Sequence, residues 1–514
     1  MYYAYRSRLS FVRWPLIVLG FPLLGFFFAA FAGLSGPSGI ILILGLIAAG
    51  IVFVRPLLGV GILLVLLNAF VPEYYGIDLG QGLPAFNVSD VFTLAIFAGT
   101  LARVFSRREH FNKDQALVVL LLYITCGFVS LIGSIYSGLV EPAAAKFNWV
   151  MLGRLYVMPT FLLFAAIHLL EKKETVYRIM DLLLLCGAAD TIYGIWTILH
   201  GSNPLYPSTE VIQVYAAGQA EFGASYQWFL SRNVGTFSQP IHFGCFLGFL
   251  IPYSFVRAAQ AVARKERLFF MLLLYLNLLG LITCLSRGPW VAVAVTLPFL
   301  LPHARIRNIM FIVLLIFAVA TPAVVLYSGD PSVILQNLKE RVSNFATMKA
   351  RLLLSYMCIR LWITKPFFGI GIGNYSILYP RLWEKLYLQP EHFGLTEAYF
   401  VEKTIAPHNI YLYLLSEVGL IGLGAFLWIV GRTFRKTIST LRRLRATDMN
   451  EYYRVLAIAL GVLTALVNGL AYDFLWLSRI SVYFWFLLGF LLIYPRLEGA
   501  SGAAAEQEVL SPRR

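Results

Sequence analysis

Apolar runs long enough to cross a lipid bilayer recur from one end of this sequence to the other. Fourteen can be drawn: Trp14–Gly33, Pro37–Val54, Pro56–Val71, Asn87–Val104, Gln115–Ser137, Asn148–Leu170, Ile179–Leu199, Pro240–Val262, Leu268–Leu285, Ser286–Leu301, Asn308–Tyr327, His408–Gly431, Val455–Ala471 and Trp476–Tyr494. Each is close to the ~20 residues that carry an α-helix across ~30 Å of hydrocarbon. Only 13% of the 514 residues are charged, roughly half the share of soluble domains, which excludes a soluble globular enzyme. An aromatic content of 15% excludes a solvated coil. The expected fold class is therefore an all-α polytopic integral membrane protein of about 14 transmembrane helices.

Two features near the N-terminus affect the number of spans without changing the orientation of the later ones. The second and third runs are short and divided only by Arg55, so they could form a re-entrant pair. Ala30-Phe31-Ala32 resembles a signal-peptidase site. The apolar run before it is long and more spans come after it, so a retained first helix is expected. The five cysteines, Cys126, Cys186, Cys245, Cys284 and Cys358, contain no CxxC pair. They are read as small buried hydrophobes, not as disulfides or a zinc site.

The net charge of +15 could point to nucleic acid, but in a membrane protein its position matters more. With the N-terminus inside, most of the 41 lysines and arginines fall in cytoplasmic segments or span ends. They include Arg103, Arg107, Arg108, Lys172, Lys173, Arg257, Arg264 and the tract Arg432–Arg445, read as an anchor to anionic lipid. The short outer loops hold almost none, so both termini are expected in the cytoplasm. Two outer connections are long: Gly201–Gln239, with 39 residues, and Ser328–Pro407, with 80. A connection of the second length suggests function. Within it Lys349–Thr364 is amphipathic and stops at Lys365-Pro366, which predicts a helix on the outer membrane surface.

The basic residues left on the outer side are the informative ones. Arg154 lies inside the sixth span, Arg287 opens the tenth and Arg479 opens the fourteenth. An arginine at membrane depth is costly and takes a partner; Asp473 is a candidate ion-pair partner for Arg479. In Ser286-Arg287-Gly288-Pro289-Trp290, Ser286 can cap a helix that runs inward, and Pro289 fits its first turn. A positive helix end beside a guanidinium suits an anion, above all a phosphate. Gln239-Pro240-Ile241-His242 and Pro407-His408-Asn409 open spans in the same direction. Three helix starts, with Arg154, Arg287 and Arg351, could converge on one outer-leaflet site for a lipid headgroup or a lipid-linked diphosphate. His408, starting a helix among arginines, can accept a proton or a hydrogen bond from a hydroxyl, although a lone interfacial histidine is often only a polar anchor. Glu417, nine residues on, faces the other way and sits ~13 Å deeper; it reads as a structural hydrogen-bonding group, and mid-span Asp190 as a packing partner. Gly369-Ile370-Gly371-Ile372-Gly373 is not GxGxxG and no strand–helix unit surrounds it; its glycines permit a tight turn against membrane or substrate. No HExxH, histidine cluster or paired-carboxylate motif exists, so neither a metal nor a cofactor is expected.

These pieces together resemble the O-antigen ligase / polysaccharide polymerase superfamily of the WaaL and Wzy type. The matching stretches are Ser286-Arg287-Gly288-Pro289-Trp290; Arg351 followed by Pro366-Phe367-Phe368-Gly369-Ile370-Gly371-Ile372-Gly373-Asn374-Tyr375; and His408-Asn409-Ile410-Tyr411-Leu412 running on to Glu417-Val418-Gly419-Leu420-Ile421-Gly422. Gly235-Thr236-Phe237 with Gln239-Pro240 adds a fourth. Their order and topology, over roughly Arg232–Leu427, carry the resemblance; the N-terminal third matches only in hydropathy. One departure is Leu352-Leu353-Leu354-Ser355-Tyr356 after Arg351, where many relatives carry a tryptophan.

The resemblance implies a GT-C-like, metal-independent, inverting transferase with a large, partly helical extracytoplasmic loop, in the bacterial inner membrane. Its donor would be an undecaprenyl-diphosphate-linked glycan, and its acceptor either another glycan or lipid A–core. By carry-over, Arg287 and Arg351 would hold the diphosphate and His408 would orient or deprotonate the acceptor hydroxyl. Arg154, Arg232, His242, Gly371, Gly373 and Asn409 are the expected substrate contacts. The implied organisation is N-terminal transmembrane helices over 1–200, a ligase/polymerase-like core over 201–431 including the loop 328–407, C-terminal helices over 432–494 and a cytoplasmic tail over 495–514. A polymerase is favoured slightly over an O-antigen ligase, and a chain-length regulator is a possible partner; nucleic acid is not expected. A secondary transporter or lipid flippase is the alternative of another class. It would place its charges and broken helices near the midplane, in related repeats, and no repeat is visible here.

Overall fold

A computed structural model describes residues 48–67, 76–77, 86–107, 114–139, 142–200, 232–237, 239–327, 346–386, 407–476 and 478–510. The first apolar run with Ala30-Phe31-Ala32, most of the second, and large parts of the two long connections lie outside these residues. The described chain is helical apart from a two-residue antiparallel pairing of Gly76–Ile77 with Phe86–Asn87. Among the described residues nine helices are long and apolar enough to cross a membrane, and Pro56–Val65 and Arg287–Leu300 are shorter apolar helices. The chain is an all-α polytopic membrane protein.

In chain order the helices are α1 Pro56–Ile62, α2 Val88–Arg107, α3 Gln115–Tyr136, α4 Pro142–Met151, α5 Phe161–Leu169, α6 Lys173–His200, α7 Pro240–Gln260, α8 Arg264–Thr283, α9 Arg287–Thr296, α10 Ala304–Tyr327, α11 Ala346–Thr364, α12 Tyr375–Lys385, α13 Ile410–Thr447, α14 Met449–Asn468 and α15 Ser478–Leu510. A π-helical turn, Leu152–Val157, and a 3-10 turn, Met158–Thr160, join α4 to α5. Two helices form the centre. Every residue of α7 from His242 to Val256, and of α15 from Arg479 to Tyr494, is buried. A helix apolar on all sides belongs inside a bundle. Accordingly α7 packs on α8 and α14, and α15 on α5 and α13.

The bundle has two different ends. At one, connections are tight: 170–172, 261–263, 301–303 and the single residue Asp448, whose carboxylate caps α14 by accepting the Asn450 and Glu451 N–H groups at 3.0 Å. Asp181 takes the Arg257 guanidinium in two bonds of 2.8 and 3.0 Å. Asp114 takes Arg432 and Lys436, and Glu498 takes Arg443. Part of the basic tract of α13, read from sequence as a lipid anchor, is therefore tied to protein carboxylates. The reason is that α13 continues past Gly431 to Thr447 as one helix and presents these residues to α3 and α15. Asp114 lies just before the α3 span. Burial works to raise its pKa, but the Ala116 N–H, Lys436 and Arg432 outweigh it and hold the carboxyl below its ordinary value.

The other end carries the long connections and the starts of α7, α9 and α13. Here α13 is broken: Gly419 has φ 71° and ψ −171° within the helix. The Gly-rich segment fills the break. Leu420 and Ile421 N–H groups bond to Pro366 and Phe367 O, and Ile370 and Gly371 N–H groups bond to Ser416 and Glu417 O, all at 2.8–3.2 Å. Irregular backbone inside a membrane bundle must find such partners.

Candidate functional site

The site begins with the segment that closes α14. Gly469 O accepts the Ile410 N–H at 2.9 Å, and Leu470 O accepts the Asn409 side-chain N–H at 3.1 Å. The other side of the Asn409 amide caps α13, accepting the Tyr411 and Leu412 N–H groups at 3.1 and 3.0 Å. The start of α13 is thus stitched to residues 469–470. The start of α9 meets the same place, because a Cβ on Gly288 would lie 2.6 Å from Asn468 Oδ1 and 3.9 Å from the Ala471 Cβ. The start of α7 arrives through His242, whose ring packs on Tyr472 at 5.6 Å. The three helix starts expected to converge therefore do so, around residues 468–473.

His408 sits at their centre. Its ring stacks on Tyr472 at 6.1 Å, and its Nδ1 lies 3.6 Å from Asp473 Oδ1. Its φ is +52°, a conformation uncommon for residues with a side chain. Among the described residues only one other non-glycine has a positive φ: Leu285, at +50°, two residues before Arg287. Backbone strain of this kind gathers at functional sites, and both instances lie directly before the helices that open the site.

Arg232 holds the second strained turn. Its Nε donates to Cys284 O at 3.1 Å, and its Nη2 to Leu285 O at 2.8 Å and Ser286 Oγ at 2.9 Å. Ser286 does not cap α9 with its side chain. The expected cap is replaced because the hydroxyl turns back, to Arg232 and to Cys284 O at 3.4 Å. Arg287 comes next, as the first, exposed residue of α9. The Arg479 guanidinium donates to Thr236 O at 2.9 Å and lies 4.2 Å from the Phe237 ring centre. Asp473, the candidate partner for Arg479 on sequence grounds, faces His408 instead.

Arg351 lies in α11, a helix where one is expected but apolar on both faces and not amphipathic: Leu354, Met357, Cys358 and Leu361 are buried against α12 and α13, and Leu352, Ile359 and Ile363 are exposed. It is tied to α13 by Tyr375, whose OH donates to Leu354 O at 3.0 Å and whose N–H donates to Glu417 Oε1 at 3.2 Å. Glu417 is thus a hydrogen-bonding support for the Gly-rich turn, as expected, although His408 lies outside α13 and their helical spacing does not apply. Gly369, Gly371 and Gly373 have φ of +74°, +99° and +79°. Gly371 and Gly373 are fully buried, and Cβ atoms there would meet Asn374 Nδ2 and Asn148 Oδ1, each at 2.5 Å. The close approach these glycines offer is taken up by protein, with Asn374 donating to Ser134 Oγ at 2.5 Å and Ile370 O at 2.7 Å.

Arg154 belongs to a different recess. Its Nε lies 2.8 Å from Asp90 Oδ2, both side chains largely buried, beside Ser89, Thr93, Met158, Pro159 and Val482. Among the described residues no group of three or more His, Cys, Asp or Glu could hold a metal ion. Tyr472 and the Asn468 amide are site residues that the sequence does not reveal, and Asp473 is assigned there to Arg479 and not to His408.

Fold and site define a multi-pass membrane protein with a polar site built where helix starts meet strained turns. Residues 270–427 match the family model described as O-antigen ligase (Wzy_C). A similar curated protein is the O-antigen ligase of Salmonella typhimurium, 24% identical over 190 residues, which are 36% of this chain and 44% of the relative. Both matches concern part of the chain, and that part is similar to O-antigen ligases. The chain aligns with less than half of that relative's length.

Proposed function

We propose that this protein is an envelope glycosyltransferase of the bacterial inner membrane. It takes a glycan from undecaprenyl diphosphate at the outer leaflet and adds it to another lipid-linked glycan, with both chain termini in the cytoplasm. The observation that carries this reading is the meeting of the start of α9, which begins with Arg287, with His408 and Asp473 around residues 468–473. An uncapped helix start beside an arginine favours a diphosphate.

In the reaction the acceptor hydroxyl oxygen bonds to the anomeric carbon on the face opposite the diphosphate. The bond from that carbon to the diphosphate oxygen breaks, and the electron pair leaves with undecaprenyl diphosphate. Arg287 stabilises the charge that builds on the leaving group, and Arg351 takes the same role on the family resemblance alone. The hydroxyl proton passes to the His408 nitrogen remote from Asp473, while Asp473 favours the orientation that keeps Nδ1–H toward itself. Asn409 holds the start of α13 in place. The glycines of 369–373 hold α11 against α13 and need not touch substrate.

The family description and the named relative favour a second acceptor, lipid A–core. Reconstituted protein given a lipid-diphosphate donor and each acceptor separates the two. A ladder of longer lipid-linked chains supports polymerisation, and one transfer onto lipid A–core supports ligation. No transfer to either acceptor contradicts the proposal.

A further inference from the structure

We infer that Arg232 is a positioning residue that holds the turn 284–286 in its strained form and so aims Arg287. This rests on the reading of Arg287 as a diphosphate-binding group. One guanidinium bonds three successive residues, to Cys284 O, Leu285 O and Ser286 Oγ, between 2.8 and 3.1 Å. The middle residue is the strained one, Leu285, with φ +50°. The left-handed region is unfavourable for an L-residue, and a planar fork with several fixed N–H donors is suited to holding such a backbone.

Neighbouring bonds make the turn a fixed base for α9. The Asn233 N–H donates to Thr283 O at 3.0 Å, and its amide donates to Thr191 O and Thr283 Oγ1, each at 3.1 Å. Trp290, three residues after Arg287, donates its indole N–H to Leu281 O at 2.5 Å across the same turn. The recruited Ser286 hydroxyl is the one that would otherwise cap α9, so the clamp also leaves the start of that helix without its side-chain cap. Arg232 thereby shapes the anion site from behind, with its Nε and Nη2 donors on protein oxygens.

The test uses the full-length protein in detergent or nanodiscs. Arg232→Ala is expected to lower kcat by about 10²-fold, the scale of a small misplacement of a catalytic group, with little change in donor KM. Arg232→Lys, lacking the fork, is expected to behave in the same way. Leu285→Gly removes the strain, so the double variant Arg232→Ala/Leu285→Gly is expected to recover about tenfold in kcat over Arg232→Ala. A readout independent of transfer is hydrogen exchange of the peptide spanning 281–290. Exchange should rise in Arg232→Ala and fall back in the double variant. Unchanged exchange in Arg232→Ala would overturn the clamp, whatever the transfer assay shows. Lost transfer that Leu285→Gly does not recover would also overturn it and make Arg232 a substrate contact. Absence of transfer in the wild-type protein would count against the proposed function alone, since the exchange comparison still decides the clamp.

Discussion

At one end of the bundle Asp114, Asp181, Glu451 and Glu498 each take a lysine or an arginine, and connections shrink to a few residues. Glu451 shows the pattern best: its carboxylate accepts Tyr177 OH at 2.6 Å and Tyr494 OH at 2.5 Å and pairs with Lys173 at 2.8 Å. At the other end Arg232 and Arg479 donate to main-chain carbonyls, Leu285 and His408 hold strained backbone, and α13 opens at Gly419. The first arrangement joins helices. The second fixes backbone in unusual shapes beside exposed Arg287 and half-exposed His408, which is what a reaction site requires. Arginine serves both purposes: Arg257 facing the Asp181 carboxylate joins two helices, and Arg232 facing carbonyls shapes a turn.

Substitutions at the site end should strike turnover and spare stability. His408→Ala is expected to cost about 10²–10⁴ in kcat, and Arg287→Ala or Arg351→Ala about 10²–10³. All three should keep wild-type thermal midpoints, read by in vitro transfer alongside a melting scan. Near-normal turnover in all three would remove the site. Asp473→Asn should cost less, about tenfold, because it only orients His408.

The opposite end should respond in stability instead. Glu451→Ala leaves buried hydroxyls and a lysine without their acceptor, and is expected to destabilise by about 3–5 kcal/mol. Turnover per folded molecule should be retained; a selective loss of kcat would erase the distinction between the two ends. Gly371→Ala is an intermediate case. A side chain at φ +99° against Asn374 and Ser134 should cost at least ~1–2 kcal/mol in stability, and activity should fall with it as α11 shifts.

Asp114 should respond least. Its folded pKa is depressed below 3.8, so its contribution is present above the unfolded value and is lost as pH falls through the folded one. Asp114→Asn should lower stability by about 0.2–1 kcal/mol at neutral pH, and the gap should close in strongly acidic buffer. A gap independent of pH would assign the effect to packing.

Much of this architecture is legible in the sequence because it is local. The spans come from apolar run length, and the end of α11 from Lys365-Pro366, although the apolar outer face of that helix is not foreseen. The tight Gly-rich turn comes from three glycines at alternate positions, although its burial against protein and not against membrane or substrate does not. What stays hidden depends on meetings between distant segments. Nothing near Asp473 points to His408; the nearer Arg479 is the more natural partner, and only the packing of the α13 start on residues 469–473 decides between them. The Arg232 clamp and the missing Ser286 cap are hidden for the same reason. A capping serine and an arginine in another loop carry no local mark of their pairing. The break in α13 is invisible because Gly419 in an apolar run is compatible with an unbroken helix.

If Arg287 and His408, meeting at the starts of α9 and α13, perform glycosyl transfer from a lipid diphosphate, the arginine must be needed for turnover and dispensable for folding. Purified wild-type protein and Arg287→Ala can each be reconstituted with an undecaprenyl-diphosphate glycan and an acceptor, and their initial transfer rates compared. The wild type should transfer, and the variant should lose about 10²–10³ in rate at an unchanged thermal midpoint. Equal rates from the two proteins would refute the role given to this site.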